Sequence, residues 1–364
     1  MTRRILMTAD AIGGVWQYAI GLARDLTCAG WTVDMALLGP GPSPAQRAAA
    51  ASSGATLIET GLPLDWLART PRAVISAADA VATLARVRRA DVVQLNQPAL
   101  AVADFVMPVV AVVHSCVASW WEAVENAPLP ADLAWQTDLV ARGLVRAEAV
   151  VCPSRAFAAT VARLYDLPRA PIAIHNGRAA PAAPAATGPL HDVAFTAGRL
   201  WDRGKNVATL DRAAAALAIP FKAAGAARGP HGEAITLRNL HPLGHVSDPM
   251  VAGHLSHRPI FATAARYEPF GLAVLEAALA GCALVLSDIP TFRELWDGVA
   301  TFVPAEDADG FARAIGDFAA DRDLRTARGM LARRRALDYS PADTAAAMIA
   351  LFAQVAGQRG RVAA

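Results

Sequence analysis

The chain has 364 residues, more than one hydrophobic core usually serves, so its length predicts two domains. Hydrophobic residues make up 54% of the chain and charged residues 18%, which excludes an intrinsically disordered protein. The formal net charge of +2 gives no general attraction to nucleic acid, and no stretch offers the roughly 20 continuous apolar residues that a membrane-spanning helix requires.

Short β-branched runs alternate with alanine-rich runs along the first half of the chain, a pattern typical of parallel sheets covered by helices. Two of the intervening segments, 16–27 and 133–146, have the spacing of amphipathic helices. We therefore expect one doubly wound domain over residues 1–178. Its predicted strands are 4–8, 32–37, 56–59, 91–95, 109–113, 149–152 and 172–174.

A proline-rich segment, 179–190, reads AAPAAPAATGPL and predicts a linker, because proline denies the backbone regular hydrogen bonds. A second domain of the same kind is expected over 191–340. Apolar residues at helical spacing predict a helix over 342–356, and the sequence leaves open whether the tail, 341–364, caps the second domain or packs back on the first. The predicted strands of the second domain are 192–197, 221–224, 260–263, 283–287 and 300–303.

The four cysteines are widely separated and form no CxxC pair, so neither a zinc site nor a disulfide framework is indicated. The apolar run before Asp10 is too short for a signal peptide, and we expect a cytoplasmic protein. The run Arg333-Arg334-Arg335 is typical of a solvated helix face. It leaves open a peripheral contact with an anionic membrane on the cytosolic side.

The most informative segment, 266–281, reads RYEPFGLAVLEAALAG. Gly271 opens a predicted helix, Glu268 precedes it, and Glu276 lies inside it. The unpaired amides at a helix start favour anions, and ionised carboxylates accept strong hydrogen bonds from sugar or ribose hydroxyls. The alternative is structural: Glu268 caps the helix and Glu276 faces water.

The run EPFGLAVLE resembles the E-x7-E signature of glycosyltransferase family 4, whose members have the GT-B fold of two Rossmann-like domains facing across a cleft. The resemblance implies that Glu268 contacts hydroxyls of the donor sugar and that Glu276 contacts the ribose. It also implies that the backbone amides of Phe270, Gly271 and Leu272 line the site for sugar and phosphate.

A second segment, 197–206, reads AGRLWDRGKN and is similar to the G-R-L-x-x-x-K element of that family. Arg199 and Lys205 are the cations of this element. A diphosphate gains charge as it leaves, so two fixed cations stabilise the transition state more than the ground state, and neither a metal nor another cofactor is expected. The alternative is a pair of surface cations. The acidic pair of Asp321-Arg322-Asp323 predicts a helix break rather than a metal site.

Three features of the first domain follow predicted strands. Gly14, in the pair Gly13-Gly14, is a candidate phosphate contact, although a tight turn needs such glycines as well. His114 is interpreted as a hydrogen-bonding ligand of the donor sugar, which the resemblance favours over a purely structural role. Trp120 and Trp121 suit the acceptor side, with core packing as the equal alternative.

Two further segments resemble family elements. The segment 243–245, which reads LGH, is similar to the loop near the nucleotide base, and backbone amides around His245 and Val246 are candidates to read that base. Many relatives read N-G-V-D where residues 176–179 read N-G-R-A. Because the aspartate is missing, no chemistry is predicted there, only a turn between domains.

The resemblance therefore implies a retaining hexosyltransferase. It is expected to use a UDP- or GDP-linked sugar, a glycan, lipid-linked or small-molecule acceptor, no metal and no nucleic-acid partner. Two alternatives remain: a sugar-nucleotide epimerase or hydrolase of the same architecture, and a non-catalytic nucleotide-sugar-binding partner. The sequence does not specify the sugar, the base, the acceptor or the oligomeric state.

Overall fold

A computed structural model describes residues 3–125, 127–180, 190–230 and 232–362, with side chains described through residue 358. The chain forms two compact units, one of Met1–Gly177 with Pro341–Ala364 and the other of Arg178–Ser340. Most of the predicted linker, 181–189, lies outside the described residues.

The first unit is built on a seven-stranded parallel sheet with the order β3-β2-β1-β4-β5-β6-β7. The order reverses between β1 and β4, which makes the sheet doubly wound. The observed strands match the predicted ones to within two residues at each end. They are β1 (Arg4–Asp10), β2 (Thr32–Leu38), β3 (Thr56–Glu59), β4 (Val92–Leu95), β5 (Val109–Val112), β6 (Ala149–Cys152) and β7 (Ile172–Ala173).

Helices connect these strands, and local sequence signals mark where several of them begin. Ser43 forms a capping box with Gln46, Thr70 caps the helix that starts at Pro71, and Ser154 accepts a hydrogen bond from the amide of Phe157. The helices are α1 (Gly14–Cys28), α2 (Pro44–Ser52), α3 (Pro71–Val87), α4 (Val117–Val124), α5 (Ala134–Arg146) and α6 (Arg155–Leu164).

The second unit is built on a six-stranded parallel sheet with the order β10-β9-β8-β11-β12-β13, and this order reverses between β8 and β11. One strand, β10, has no signal in the sequence, because its proline and glycine are unfavourable in strands and most of its side chains are exposed at the sheet edge. The strands are β8 (Ala194–Ala197), β9 (Phe221–Ala224), β10 (His241–Gly244), β11 (Ile260–Thr263), β12 (Leu284–Ser287) and β13 (Thr301–Val303).

The helices of the second unit hold its sheet from both faces. A helix break was predicted around residues 321–323, and it is confirmed: Asp321 ends one helix and its carboxylate caps the next at the amide of Leu324, 2.8 Å away. The helices are α7 (Val207–Ala214), α8 (Asp248–Ser256), α9 (Leu272–Leu279), α10 (Pro290–Trp296), α11 (Ala308–Ala320) and α12 (Arg322–Ala336).

Helix α9 is positioned by close contact with α12. A Cβ atom at Gly329 of α12 would lie 2.1 Å from the carbonyl oxygen of Gly281, just after α9 ends. Only glycine therefore permits this approach. The buried apolar side of α9, with Leu275 and Leu279, completes the core between α9 and the sheet.

The C-terminal helix α13 (Pro341–Val362) packs against α1 within the first unit. Met348 and Phe352 are fully buried there, and the ring of Phe352 lies 5.7 Å from that of Trp31. The tail therefore joins the core of the first unit. Within the described residues, no helix combines the length and the apolar run that crossing a bilayer requires.

Candidate functional site

The loops that follow β8 and β11 lie on either side of the point where the strand order of the second sheet reverses. In doubly wound sheets this point, at the carboxyl ends of the strands, is where ligands bind. The loop after β8 carries Arg199 and Lys205, and the loop after β11 carries Glu268. The fold thus brings three of the predicted residues together at the carboxyl ends of two central strands of one sheet.

Lys205 and Glu268 form an ion pair across these two loops. The distance from Nζ of Lys205 to Oε2 of Glu268 is 2.5 Å, and the two side chains are 20% and 18% exposed. The backbone supports the pair, because the carbonyl oxygen of Gly204 accepts hydrogen bonds from the amides of Arg266 and Tyr267 at 2.9 and 3.2 Å. Glu268 is therefore held by a cation, and no described hydrogen bond joins it to an amide of α9.

Arg199 is held by Asp202, three residues further along the same loop. One Asp202 oxygen accepts a hydrogen bond from Arg199 at 2.8 Å, and the other accepts from the amide of Gly204 at 2.9 Å. The Asp202 side chain is 6% exposed, whereas that of Arg199 is 43% exposed and lies over the ring of Trp201. The buried carboxylate of Asp202 thus holds the guanidinium of Arg199 in place, while part of the Arg199 side chain stays exposed to solvent.

Asn206 fastens the loop that carries Lys205 to two neighbouring loops. Its backbone is left-handed, with φ of 50°, and its side-chain nitrogen donates to the carbonyl oxygens of Ala264 at 3.1 Å and Ala305 at 2.8 Å. Its side-chain oxygen accepts a hydrogen bond from Thr209 at 3.0 Å. Asn206 was missed in the sequence, because an asparagine after a basic residue has many surface roles and only the fold reveals this one.

The start of α9 is shaped by Gly271, which has φ of +95°. A Cβ atom there would lie 3.0 Å from the ring of Phe292 and 3.4 Å from Cγ of Glu268. Glycine therefore lets the chain turn sharply into the helix beside the Glu268 side chain. The amides of Phe270, Gly271 and Leu272 stand at this helix start, where backbone N–H groups and the helix dipole favour negative charge.

Glu276 lies in α9 and is paired with Arg178, a residue for which the sequence predicted no chemistry. Nε of Arg178 donates to Oε1 of Glu276 at 2.8 Å, and Nη2 of Arg178 donates to the same oxygen. The side chains are 24% and 29% exposed. Each glutamate of the E-x7-E pair is therefore held by a basic side chain rather than surrounded by water.

The loops after β9 and β10 lie beside the loop after β8. A Cβ atom at Gly225 would lie 1.7 Å from the carbonyl oxygen of Gly198, and the amide of Gly225 donates to Gly244 at 2.8 Å. His245 and Val246 follow directly at the same sheet edge, His245 exposed and Val246 partly buried. The loop predicted to read the base thus reaches the edge that carries Arg199.

In the first unit, His114 follows β5 and is embedded in a polar cluster. Its Nε2 lies 2.9 Å from Oδ1 of Asn96, and its ring packs edge-on to Tyr18 at 4.6 Å. The amide of Asn96 is oriented by donation from its Nδ2 to the carbonyl oxygen of Thr8 at 2.6 Å. Because Oδ1 only accepts, Nε2 of His114 carries the proton and Nδ1 is the acceptor.

Burial lowers the pKa of the His114 imidazole from 6.5 to about 4. Removal from water disfavours the charged ring, so His114 is neutral at pH 7. A neutral ring with Nδ1 as acceptor can receive a hydrogen bond from a hydroxyl group. It can therefore act as a ligand without taking a proton.

The glycine pair after β1 shows a division of roles. Gly13 has φ of 76° and ends the turn, and no atom within 4 Å would meet a Cβ atom there. Gly14 is the first residue of α1, and both glycines are exposed. The positive φ thus belongs to Gly13, while Gly14 offers an open helix start.

Trp120 and Trp121 lie in α4, downstream of His114. Their rings are 6.2 Å apart and tilted by 57°, and Nε1 of Trp121 donates to the carbonyl oxygen of Ala127 at 2.8 Å. Both residues are partly exposed rather than fully buried in the core.

Within the described ranges, no group of three or more His, Cys, Asp or Glu side chains is placed to hold a metal ion.

Residues 12–178 match the model of a family described as Glycosyltransferase Family 4, and residues 191–321 match the model of Glycosyl transferases group 1. A phosphatidyl-myo-inositol mannosyltransferase from Mycolicibacterium smegmatis (strain ATCC 700084 / mc(2)155) is 34% identical over 122 residues, which are 33% of this chain and 32% of that protein. The chain thus spans about a third of the length of this curated relative.

Several solved structures share the fold over almost the whole chain. Sucrose-phosphate synthase from Thermosynechococcus elongatus superposes with a TM-score of 0.79 at 19% identity, covering 97% of this chain and 99% of that one. A glycosyltransferase from Rickettsia africae ESF-5 gives 0.72 at 15%, covering 97% and 98%. Anabaena Alr3699/HepE, in complex with UDP and glucose, gives 0.71 at 15%, covering 97% and 100%.

Two doubly wound parallel sheets, each in its own unit, resemble GT-B glycosyltransferase structures, and this confirms the predicted fold class. The chain therefore has the α/β fold class of the GT-B glycosyltransferases. Within that class, the two matched regions show that the chain belongs to the glycosyltransferases of the family 4 and group 1 type.

The lowered pKa of His114 makes a pH-dependent prediction. The unfolded histidine binds a proton below its ordinary pKa of 6.5, while the folded one does so only near pH 4. Stability from this residue is thus complete above pH 6.5 and is lost as the pH falls towards 4. We expect the ring NMR signals of His114 to titrate near pH 4, and His114→Gln to remove part of the acid slope of stability. Titration above pH 6 contradicts this picture.

Proposed function

We propose that the protein is a retaining, metal-independent glycosyltransferase that moves a hexose from a UDP- or GDP-linked donor to a glycan, lipid-linked or small-molecule acceptor. The observation that carries the proposal is the meeting of Lys205 and Glu268 at the reversal point of the second sheet, 2.5 Å apart. A diphosphate and the sugar bonded to it need a cation and a hydroxyl acceptor at adjacent positions. This pair supplies both.

The proposed reaction places the two cations on the leaving group. As the bond between the anomeric carbon and the phosphate oxygen breaks, its electron pair goes to the diphosphate, whose added charge Arg199 and Lys205 stabilise. The acceptor oxygen bonds to the anomeric carbon from the same face. Its proton passes to the departing phosphate oxygen, so the step needs no carboxylate nucleophile.

In the proposal, different segments of the second unit contact different parts of the donor. Glu276 takes the ribose hydroxyls, and the loop at His245 and Val246 reads the base. The amides of Phe270, Gly271 and Leu272 take the phosphate and sugar. A structural neighbour in complex with UDP and glucose supports a nucleotide-sugar donor.

The first unit contributes the remaining proposed contacts. His114 accepts a hydrogen bond from a hydroxyl of the donor sugar through Nδ1, and Gly14 approaches a phosphate at the open start of α1. Trp120 and Trp121 carry aromatic rings that suit stacking on the acceptor, since both residues are partly exposed. The name of the curated relative, a mannosyltransferase, supports a hexose as the transferred group.

Replacing Lys205 by alanine tests the transition-state role. We expect turnover to fall about 100-fold or more, because a fixed cation on a leaving group acts mainly in the transition state. The chain offers a matched control in its second lysine, Lys222 on β9, whose replacement by alanine should leave turnover nearly unchanged. A loss below about threefold for Lys205→Ala, against the large effect expected of such a cation, would make Lys205 a surface cation.

The stereochemical and metal predictions are read from one assay. Product formed from an α-linked donor in excess chelator should keep the α configuration by NMR. Clean inversion contradicts the front-face reaction, and a loss of activity restored only by added magnesium contradicts the metal-free reaction.

Incubation with donor alone tests the alternative functions. Epimer or free sugar from donor alone identifies an epimerase or hydrolase, and donor binding without any transfer identifies a non-catalytic partner.

A peripheral contact with an anionic membrane is the second proposal, and the exposed face of α12 favours it. Four large apolar side chains stand on or just after this helix: Leu324, Met330, Leu331 and Leu337, which are 40%, 49%, 40% and 55% exposed. Arg334 is exposed between them, three or four positions from its apolar neighbours. Apolar side chains interleaved with arginine suit the interface of an anionic bilayer.

Vesicle binding tests this contact. The protein should co-sediment with vesicles that contain anionic phospholipid, not with neutral ones, and high salt should release it. The variant Met330→Ser/Leu331→Ser/Arg334→Gln should lose most of this binding, whereas Arg72→Gln, an exposed arginine on α3, should not. Equal binding by the triple variant and the wild type removes the proposal.

A further inference from the structure

Arg178 is anchored beside the start of α9. Its amide donates to the carbonyl oxygen of Tyr339 at 3.2 Å, and the hydroxyl of Tyr339 donates to the carbonyl oxygen of Leu295 at 3.1 Å. The Tyr339 ring meets that of Phe270 edge-on, with centroids 5.9 Å apart. Tyr339 and Phe270 are almost fully buried, so the backbone of Arg178 starts from a rigid position.

The way Arg178 holds Glu276 leaves one carboxylate oxygen available. Two donors of Arg178, Nε and Nη2, converge on Oε1. Among the described residues, Oε2 of Glu276 has no hydrogen-bond partner, and the side chain is 29% exposed. Two donors on one oxygen hold Oε1 in place, because the guanidinium is a rigid fork. The second oxygen is thereby presented to a ligand.

We propose that Arg178 is a positioning residue of the donor site, which holds Glu276 by Oε1 so that Oε2 accepts hydrogen bonds from the ribose hydroxyls of a nucleoside diphosphate. The inference rests on the proposed function in one respect, the role of Glu276 as ribose ligand. The inference assigns a role to Arg178, the first residue of the second unit, which lies in the segment 176–179 discussed above. Lysine cannot replace it fully, since an ammonium on a flexible stem lacks the two rigidly placed donors that hold Oε1.

The same contact also allows the opposite role, in which Arg178 competes with the nucleotide for Glu276. The two roles differ in sign. A positioning residue strengthens binding of a nucleotide that has ribose hydroxyls, so its loss weakens that binding. A competing residue weakens binding, so its loss strengthens it.

Calorimetric titration with UDP and GDP, each compared with its 2′,3′-dideoxy analogue, measures what the ribose hydroxyls contribute. In the wild type the preferred nucleotide should bind tenfold or more tightly than its dideoxy analogue, as expected for hydrogen bonds to a charged group. Arg178→Ala should weaken the parent nucleotide by about tenfold and leave the dideoxy analogue within about twofold of the wild type. Arg178→Lys should recover only part of the loss.

Two variants complete the design. Glu276→Gln should lose the same preference for the parent nucleotide as Arg178→Ala. Arg293→Ala removes another two-pronged arginine pair of the second unit, with Asp288, and should keep the preference, provided that each variant melts cooperatively.

Four outcomes overturn the inference. Binding of the parent nucleotide to Arg178→Ala that is as tight as in the wild type, or tighter, shows that Arg178 does not position Glu276. Equal weakening of parent and dideoxy nucleotides shows a general effect on the fold. If the wild type does not distinguish the two nucleotides, or Glu276→Gln keeps the preference, the ribose role of Glu276 fails, and with it that part of the proposed function and this inference.

Discussion

The close approach of an ammonium and a carboxylate at the reversal point of the second sheet is the constraint from which the rest of the site follows. Lys205 and Glu268 come from loops after different strands, and their terminal atoms are 2.5 Å apart. Removing the two charges from water costs free energy, and their attraction offsets this cost only when their geometry is well fixed. The amide and carbonyl groups of residues 204, 266 and 267 provide that support.

Close backbone packing explains how the loops reach this arrangement. Gly225 admits the carbonyl group of Gly198, Gly271 admits the ring of Phe292, and Gly329 admits the turn after α9. At each position a Cβ atom would meet an atom at 3.0 Å or less. Asn206 then joins the loops after β8, β11 and β13 through one buried amide. The backbone that carries the charged side chains is therefore rigidly packed.

The sequence was sufficient for every described strand except β10, but not for the partners of the charged residues. Short β-branched runs are buried on both faces of a parallel sheet, so they were easily recognised. Edge strand β10 has no such run, because it is exposed and contains proline and glycine. The pairing of Arg178 with Glu276 joins residues 98 apart. Such a contact depends on how α9 is seated, which no local pattern encodes.

The pattern of ion pairs also bears on how a diphosphate would enter the site. Lys205 and Arg199 carry positive charge, and their carboxylate partners Glu268 and Asp202 offset it. In the proposed reaction, the diphosphate approaches cations whose charge these carboxylates offset, and drawing Lys205 away from Glu268 would free the charge of Lys205 for the phosphates. The backbone amides at the start of α9 add positive potential. In the proposed reaction, separation of the pair would release Oε2 of Glu268 as a further acceptor for a sugar hydroxyl, so phosphate binding and sugar binding would be coupled through one hydrogen bond.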